Sequence, residues 1–106
     1  MFINSEKTNK KVRENMHIAE YKINKDFSGS LITLNGKHPR IKNRMEDRIY
    51  FIISGKGKFT VGDQVHSVKS EDLVYIPKMT EYEMEGEMKY FLISSPEFNK
   101  DNDIFV

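Results

Sequence analysis

Short apolar or alternating runs, each followed by a turn signal, dominate this sequence of 106 residues. No segment shows sustained helical spacing of apolar residues, and there is no internal repeat. This pattern predicts an antiparallel all-β fold, either a sandwich or a barrel, built as a single domain. The predicted strands cover residues 17–23, 31–34, 48–53, 58–61, 64–68, 73–76, 80–84 and 88–93.

Glycine and proline residues mark where these strands are expected to end. Gly62-Asp63, between two strand-like runs, predicts a β-hairpin with a type II′ turn, whose twist suits the flanking strands. Pro77 has no N–H for a central ladder and therefore predicts the end of the preceding strand. Further turns are predicted at the glycine-containing segments 28–30, 54–57 and 85–87.

The composition fits one small domain and excludes several classes of function. Lys and Arg number 17 and Asp and Glu number 16, so a net charge of +1 predicts neither a nucleic acid nor a membrane as partner. The absence of cysteine excludes disulfides, thiolate metal sites and a cysteine nucleophile. Without a signal pattern or a long apolar run, we expect a cytoplasmic protein. Polar residues 1–16 are expected to form an arm, and residues 17–106 the barrel domain.

Two glycines frame three cationic residues at a regular spacing. Gly36 is followed after five residues by Lys42, and Arg44, Arg48 and Gly55 follow it. These intervals match, without gaps, the first motif of the cupins: glycine, five residues, His-x-His, three or four residues, Glu, six residues and glycine. The chain therefore resembles a cupin in this segment.

The second cupin motif falls on residues 71–86, and it is only partly kept. Pro77 is present, whereas Met79 and Tyr82 stand where the motif has glycine and histidine. Because a residue other than glycine disfavours positive φ, the turn at Met79 is expected to differ from that of the family. The resemblance covers about residues 17–95. It implies a double-stranded β-helix (jelly-roll) barrel, antiparallel and single-domain, with a pocket between its two sheets.

The metal ligands of the family are not kept. In metal-dependent cupins the two His, the Glu and the later His bind one divalent ion, and the resemblance places Lys42, Arg44, Arg48 and Tyr82 at these positions. Ammonium and guanidinium groups have no lone pair to offer a metal at neutral pH. The resemblance therefore implies a cupin without a bound metal and without a cofactor.

The same cations suggest a ligand site. The resemblance places Arg44 and Arg48 at the barrel mouth, where two guanidiniums would favour a carboxylate or a phosphate. Alternatively, nearby carboxylates such as Glu46 neutralise them inside the protein, or they extend into solvent. Lys42 is expected at the rim. The predicted ligand-binding residues are Lys42, Arg44, Arg48, Tyr50, Tyr82 and Tyr90.

Three functions remain open at this point. The first is a metal-independent cupin that binds a small anionic or polyhydroxylated molecule. The second is a metal-free sugar isomerase or epimerase, which needs a base that titrates near pH 7, such as His38 in a predicted loop, or Tyr82. The third is an interaction module whose barrel is filled by side chains. An open cavity lined by the two arginines favours the first, and a histidine paired with a carboxylate inside the cavity favours the second.

The apolar run 48–53 bears on the oligomeric state. A continuous apolar strand is typical of burial on both faces, and a small barrel leaves an outer face and sheet edges uncovered. The sequence therefore predicts a homodimer.

Overall fold

The computed structural model describes all residues from Met1 to Val106 and confirms the predicted all-β class. Short 3₁₀ helices lie at Ser5–Lys7 and Lys100–Asn102, and no helix is long and apolar enough to cross a membrane. The eight strands are β1 (Asn9–Arg13), β2 (Met16–Lys22), β3 (Ser28–Asn43), β4 (Asp47–Val61), β5 (Gln64–Lys69), β6 (Leu73–Ile76), β7 (Tyr82–Ser95) and β8 (Asp103–Phe105).

Three long strands, β3, β7 and β4, form the centre of the antiparallel sheet, whose strand order is β1-β2-β3-β7-β4-β5. Each of the two outer long strands changes its neighbour along its length. The first part of β3 pairs with β2 and its end pairs with β8, while β4 pairs first with β6 and then with β5. This exchange of neighbours produces the layers of the predicted jelly-roll barrel.

Three glycines face one another where the long strands bend. Gly86 of β7 lies opposite Gly36 of β3 and Gly57 of β4, and φ is 126° at Gly36 and 146° at Gly86. A Cβ atom on Gly86 would meet Gly57 Cα at 2.5 Å, so only glycine permits this approach. The turns predicted at 54–57 and 85–87 are therefore wrong, because these glycines mark a barrel corner inside continuous strands. Segment 28–30 likewise belongs to the start of β3.

Alternation along the strands separates a buried inner face from an exposed outer face. On β4, Tyr50 and Ile52 are 2% and 0% exposed, whereas Phe51 and Ile53 are 42% and 40% exposed. Within a single chain, residues 48–53 are therefore buried on one face. Only the inner face of this strand contributes to the core.

Two local predictions are confirmed and one is wrong. Val61 pairs with Gln64 and Gly62 has φ 61°, as a type II′ hairpin requires. Strand β6 ends directly before Pro77. Met79, however, adopts φ 66°, so the turn keeps the left-handed conformation despite its side chain. A hydrogen bond of 2.6 Å from the Met79 N–H to the carbonyl of residue 43 holds it there.

The two ends of the chain cover one side of the barrel. Strand β1, which lies within the segment predicted as an arm, pairs with β2. The C-terminal segment follows β7 and returns so that β8 pairs with the end of β3. The backbone N–H of Phe98 donates to Ser28 Oγ at 2.8 Å, which fixes this segment against the start of β3.

Candidate functional site

A cavity of about 40 Å³ lies between the inward side chains of β2, β3, β4 and β7. This is room for about three water molecules. It adjoins a wider groove of about 460 Å³, the mouth groove, with which it shares Lys11, Arg13, Glu20 and Phe98. The remaining lining residues of the cavity are Met16, Ile18, Ser30, Ile32, His38, Arg48, Tyr50, Tyr90, Leu92 and Asp103.

Arg48 is buried in the cavity wall with its charge compensated. Its Nη2 donates to Glu46 Oε1 and to Asp103 Oδ1, both at 3.0 Å, and its Nε donates to Glu46 Oε1 at 3.3 Å. Its Nη1 donates to the Tyr82 hydroxyl at 2.9 Å. The side chains of Arg48 and Glu46 are 2% and 0% exposed. Four of the five guanidinium N–H groups are therefore used inside the protein, and one on Nη1 remains.

The carboxylates of this cluster also bind the C-terminal segment. Glu46 Oε2 accepts from the Asn99 backbone N–H at 2.9 Å and from Asn102 Nδ2 at 3.3 Å. Asp103 Oδ1 accepts from Asn43 Nδ2 at 2.8 Å. The site and the cover formed by the chain end are thus one hydrogen-bonded unit.

Two tyrosines extend the chain of donors into the cavity. Tyr82 accepts from Arg48 and forms a short hydrogen bond with Tyr50. Either hydroxyl can be the donor in this bond, and when Tyr82 donates, the Tyr50 O–H is left to donate to a group in the cavity. The charge of Arg48 polarises this chain and strengthens its last donor. Burial raises the pKa of Tyr50, Tyr82 and Tyr90, so all three are neutral phenols at neutral pH.

His38 lines the same cavity as a neutral base. Its ring stacks on Tyr82 with centroids 6.2 Å apart and an interplanar angle of 14°. Its Nδ1 lies 2.8 Å from the Pro39 carbonyl oxygen. Because a carbonyl only accepts, Nδ1 carries the hydrogen and Nε2 keeps its lone pair. Burial lowers the pKa of His38 below its usual 6.5, so the ring is uncharged at neutral pH.

The lowered pKa of His38 predicts a pH dependence of stability. Below about pH 6.5 the unfolded chain binds more protons at this residue than the folded chain, so stability is lost as the pH falls through that value. We expect urea unfolding of the wild type between about pH 7.5 and pH 5.5 to show a steeper loss than that of His38→Gln. Identical pH slopes for the two proteins would contradict the neutral, buried histidine.

Solved structures with this architecture include a variant of Pac13 from Streptomyces with uridine. Its TM-score is 0.92 at 18% identity, over 100% of this chain and 89% of that chain. Pac13 is described as a nucleoside dehydratase. KdgF from Halomonas sp. gives a TM-score of 0.85 at 11% identity, covering 95% of this chain and 97% of that one. The Schizosaccharomyces pombe Cnp3 cupin domain gives 0.75 at 15% identity, with coverages of 83% and 68%. The chain has the cupin fold.

In sequence, the chain is similar to an uncharacterised protein of Methanocaldococcus jannaschii, MJ1618. The two are 28% identical over 76 residues, which are 71% of this chain and 61% of that protein. The match therefore spans less than two thirds of the relative. No family model matches the sequence.

At two of the positions that the motif resemblance assigns to metal ligands, the barrel carries a hydrogen-bonded pair. Arg48 and Tyr82 are both buried and bonded to each other. No three His, Cys, Asp or Glu side chains are grouped closely enough to hold a metal ion. The chemistry of these side chains is that of a hydrogen-bonding site.

The structure brings together Arg48, Tyr50, Tyr82 and Tyr90 among the predicted ligand-binding residues. Arg48, Tyr50 and Tyr90 line the cavity, and Tyr82 is hydrogen-bonded to Arg48 and to Tyr50. Arg48 is neutralised by Glu46, as one of the interpretations left open by the sequence proposed.

Lys42 and Arg44 are not part of the cavity, so their predicted role is wrong. Arg44 is exposed, and Lys42 is half-buried in the pairing of β3 with β8. The pairing of β3 with β7 shifts register between His38 and Ile41, at a bulge that changes which residues face inward. The buried residues at the end of β3 are consequently Ile41 and Asn43.

Sequence reasoning missed four residues of the site as binding residues. His38 was considered as a base but placed in a loop, whereas it lies within β3. Glu20 could have been found, because it continues the inward alternation of Ile18 on a predicted strand. Asp103 and Phe98 follow the last predicted strand, and nothing in their sequence context indicates that the chain returns to the cavity.

Proposed function

We propose that this cupin binds a small polyhydroxylated or anionic molecule in its cavity without using a metal ion. The observation that carries the proposal is that three groups with unused hydrogen-bonding capacity line one cavity. These are an N–H of Arg48, the hydroxyl of Tyr50 and Nε2 of His38. Buried polar groups normally have partners, so a ligand that supplies them explains this arrangement. The uridine held by a Pac13 variant of the same fold supports a hydroxylated ligand.

The size of the cavity defines how such a ligand lies. At about 40 Å³ the cavity accepts one edge of a molecule, and the rest occupies the mouth groove. There the Phe98 ring lies against two guanidiniums, with its centroid 5.1 Å from Arg48 Cζ and 6.0 Å from Arg13 Cζ. An anionic group on the ligand would contact Arg13, because Arg48 has no pair of free N–H groups for a bidentate contact.

His38 favours a second function at the same site, acid–base catalysis. In this step Nε2 takes a proton from a carbon next to a carbonyl group; the C–H electron pair forms a C=C bond, and the carbonyl π pair moves onto the oxygen. The Tyr50 O–H stabilises the resulting enolate by donating a hydrogen bond. Return of the proton to the other face or to the neighbouring carbon gives an epimer or an isomer. Departure of a hydroxyl group, with that proton, gives a dehydrated product and water.

A thermal-shift screen of metal-depleted protein tests the binding proposal. The protein is treated with EDTA, checked by elemental analysis, and screened against nucleosides, sugars, sugar phosphates and keto acids. A ligand at about a hundred times its dissociation constant adds roughly 2.7 kcal/mol, which should raise the melting temperature by on the order of 10 °C. We expect this shift in the wild type and a smaller one in His38→Gln. Shifts that appear only after zinc, iron, manganese or nickel is restored would contradict metal independence.

We also propose that a second copy of the chain covers the outer face of β4, β6 and β7. Five large apolar side chains are exposed there: Phe51 42%, Ile53 40%, Leu73 60%, Tyr75 53% and Ile93 40%. Phe51 pairs with Leu73 across β4 and β6, so the patch is continuous. A stable dimer buries roughly 1,200 Å² or more in total, so the symmetric contact must extend beyond these five side chains to the residues around them. The predicted cytoplasmic location stays a prediction.

Light scattering tests this dimer. We expect twice the chain mass of 12.5 kDa for the wild type and the monomer mass for Phe51→Lys, which places a charge at the centre of the patch. Val12→Lys is the matched control, since Val12 is exposed on the distant strand β1. A monomeric wild type at tens of micromolar, or two variants with the same mass, would contradict the proposal.

A further inference from the structure

Glu20 is a nearly buried carboxylate with no hydrogen-bond donor. It is 5% exposed, and the side chain lines both the cavity and the mouth groove. Its nearest cations are Lys22 Nζ at 3.7 Å and Lys11 Nζ at 3.8 Å, which are ion pairs beyond ordinary hydrogen-bond length. An ionised carboxylate has about four acceptor sites, and in this structure no protein donor occupies them.

Ser30 adds a second unused polar group beside it. Ser30 lies directly opposite Glu20 in the pairing of β2 with β3, is 6% exposed, and also lines the cavity. Its hydroxyl makes no hydrogen bond to another residue. The two form a polar pair on a wall that is otherwise apolar, because the next inward pair is Ile18 with Ile32.

Comparison with Glu46 shows that the lack of hydrogen-bond donors is specific to the wall that carries Glu20. Glu46, the other buried glutamate, accepts four hydrogen bonds from Arg48, Asn99 and Asn102. Donors from the protein therefore surround the carboxylate of Glu46, whereas the carboxylate of Glu20 is open toward the cavity. Buried acceptors without donors cost stability, and they are found where a ligand or water completes them.

From this geometry we propose that Glu20 and Ser30 recognise a vicinal diol on the ligand, so that the substrate class is a hydroxylated sugar ring. The inference rests on the proposed function and deepens it. The carboxylate accepts both hydroxyl hydrogens of the diol, and Ser30 donates to or accepts from one of its oxygens. The apolar pair Ile18 and Ile32 packs against the C–H groups of the ring. A carboxylate at this wall repels a carboxylate or phosphate, so an anionic group on the ligand must point away from Glu20.

Deoxy analogues test this assignment. Uridine is compared with 2′-deoxyuridine and 3′-deoxyuridine, and D-ribose with 2-deoxy-D-ribose, by NMR titration of the wild type and of Glu20→Leu. Charged hydrogen bonds are strong enough that we expect removal of either hydroxyl to weaken wild-type binding by about tenfold or more. In Glu20→Leu the ratio should fall to about twofold or less. Glu87→Leu, on the exposed outer face of β7, is the matched control and should keep the wild-type ratio.

A measurement without ligand distinguishes recognition from a structural role. Glu20→Leu removes a nearly buried carboxylate without donors, and the two lysines that it leaves unpaired reach solvent, so this variant should melt at or above the wild-type temperature. A clear fall in melting temperature, together with an unchanged diol preference, would overturn the assignment and make Glu20 a structural partner of Lys11 and Lys22. Wild-type binding of sugars that His38→Gln weakens but Glu20→Leu leaves unchanged would overturn this assignment alone. Absence of any binding by the wild type would overturn the proposed function and this assignment with it.

Discussion

Arg48→Met is expected to lower the melting temperature by on the order of 15 °C or more. The substitution leaves Glu46, whose side chain is fully buried, and Asp103 without the cation that they share. Breaking a buried ion pair from one side costs about 3–5 kcal/mol, because the remaining charge stays out of water. Thermal melts followed by circular dichroism, together with urea unfolding, measure this change.

Arg44→Met is the matched control for that experiment. Arg44 is exposed, so the same loss of a guanidinium there should change stability by no more than about 0.5 kcal/mol. The double variant Arg48→Met, Glu46→Gln should regain part of the loss, because it removes the stranded charge together with its partner. Arg48→Lys keeps the positive charge but loses the planar set of guanidinium donors, so its melting temperature should lie between those of the wild type and Arg48→Met. Equal, small effects of Arg44→Met and Arg48→Met would show that the cluster does not form.

His38→Gln is expected to reduce exchange of hydrogen next to a carbonyl group by a factor of about 100 or more. Small aldoses and ketoses, among them D-ribose and glyceraldehyde, are incubated with the protein in D₂O, and deuterium incorporation is followed by mass spectrometry. A neutral Nε2 in the cavity provides the base, and glutamine cannot replace it.

His17→Gln controls for the loss of a histidine, because His17 is exposed on β2. It should leave the exchange rate unchanged. No incorporation by the wild type with any member of the panel, or equal rates for wild type and His38→Gln, would contradict acid–base catalysis. Binding without catalysis would then be the function of the site.

The fold could be predicted from the sequence because its strongest signals are local. The hairpin at Gly62-Asp63 and the end of β6 at Pro77 depend only on turn chemistry and on a missing N–H, and both are confirmed. The glycines at 57 and 86 gave the wrong prediction for a physical reason. Glycine serves equally at a turn and at a barrel corner, and only the pairing of distant strands distinguishes the two uses.

The site was predictable only where strand alternation continues without a break. Arg48 and Tyr50 lie on one inward-facing side of β4; Arg48 was identified from the motif spacing, and Tyr50 from its place on a predicted central strand. Lys42 and Arg44 were placed by the same spacing, but the bulge after His38 turned them away. A one-residue irregularity reverses every later side chain, and the motif match carries no information about it.

The contribution of the chain end could not be predicted. Asp103 reaches Arg48 from a strand of three residues, and Asn99 and Asn102 reach Glu46 from the same segment. These contacts require the segment after β7 to return to the cavity, and no local sequence pattern indicates that it does so. The neutralisation of Arg48 was one of the interpretations open from the sequence, and the buried ion pair with Glu46 is the observation that supports it.

Titration of ¹⁵N-labelled, EDTA-treated protein with uridine and D-ribose tests whether the cavity binds a small molecule without a metal ion. We expect chemical-shift changes concentrated on the cavity, at Ser30, His38 and Tyr50, with the same affinity before and after EDTA treatment, and weaker binding by His38→Gln. Shifts confined to the outer face around Phe51, or binding that requires an added divalent metal, would contradict it.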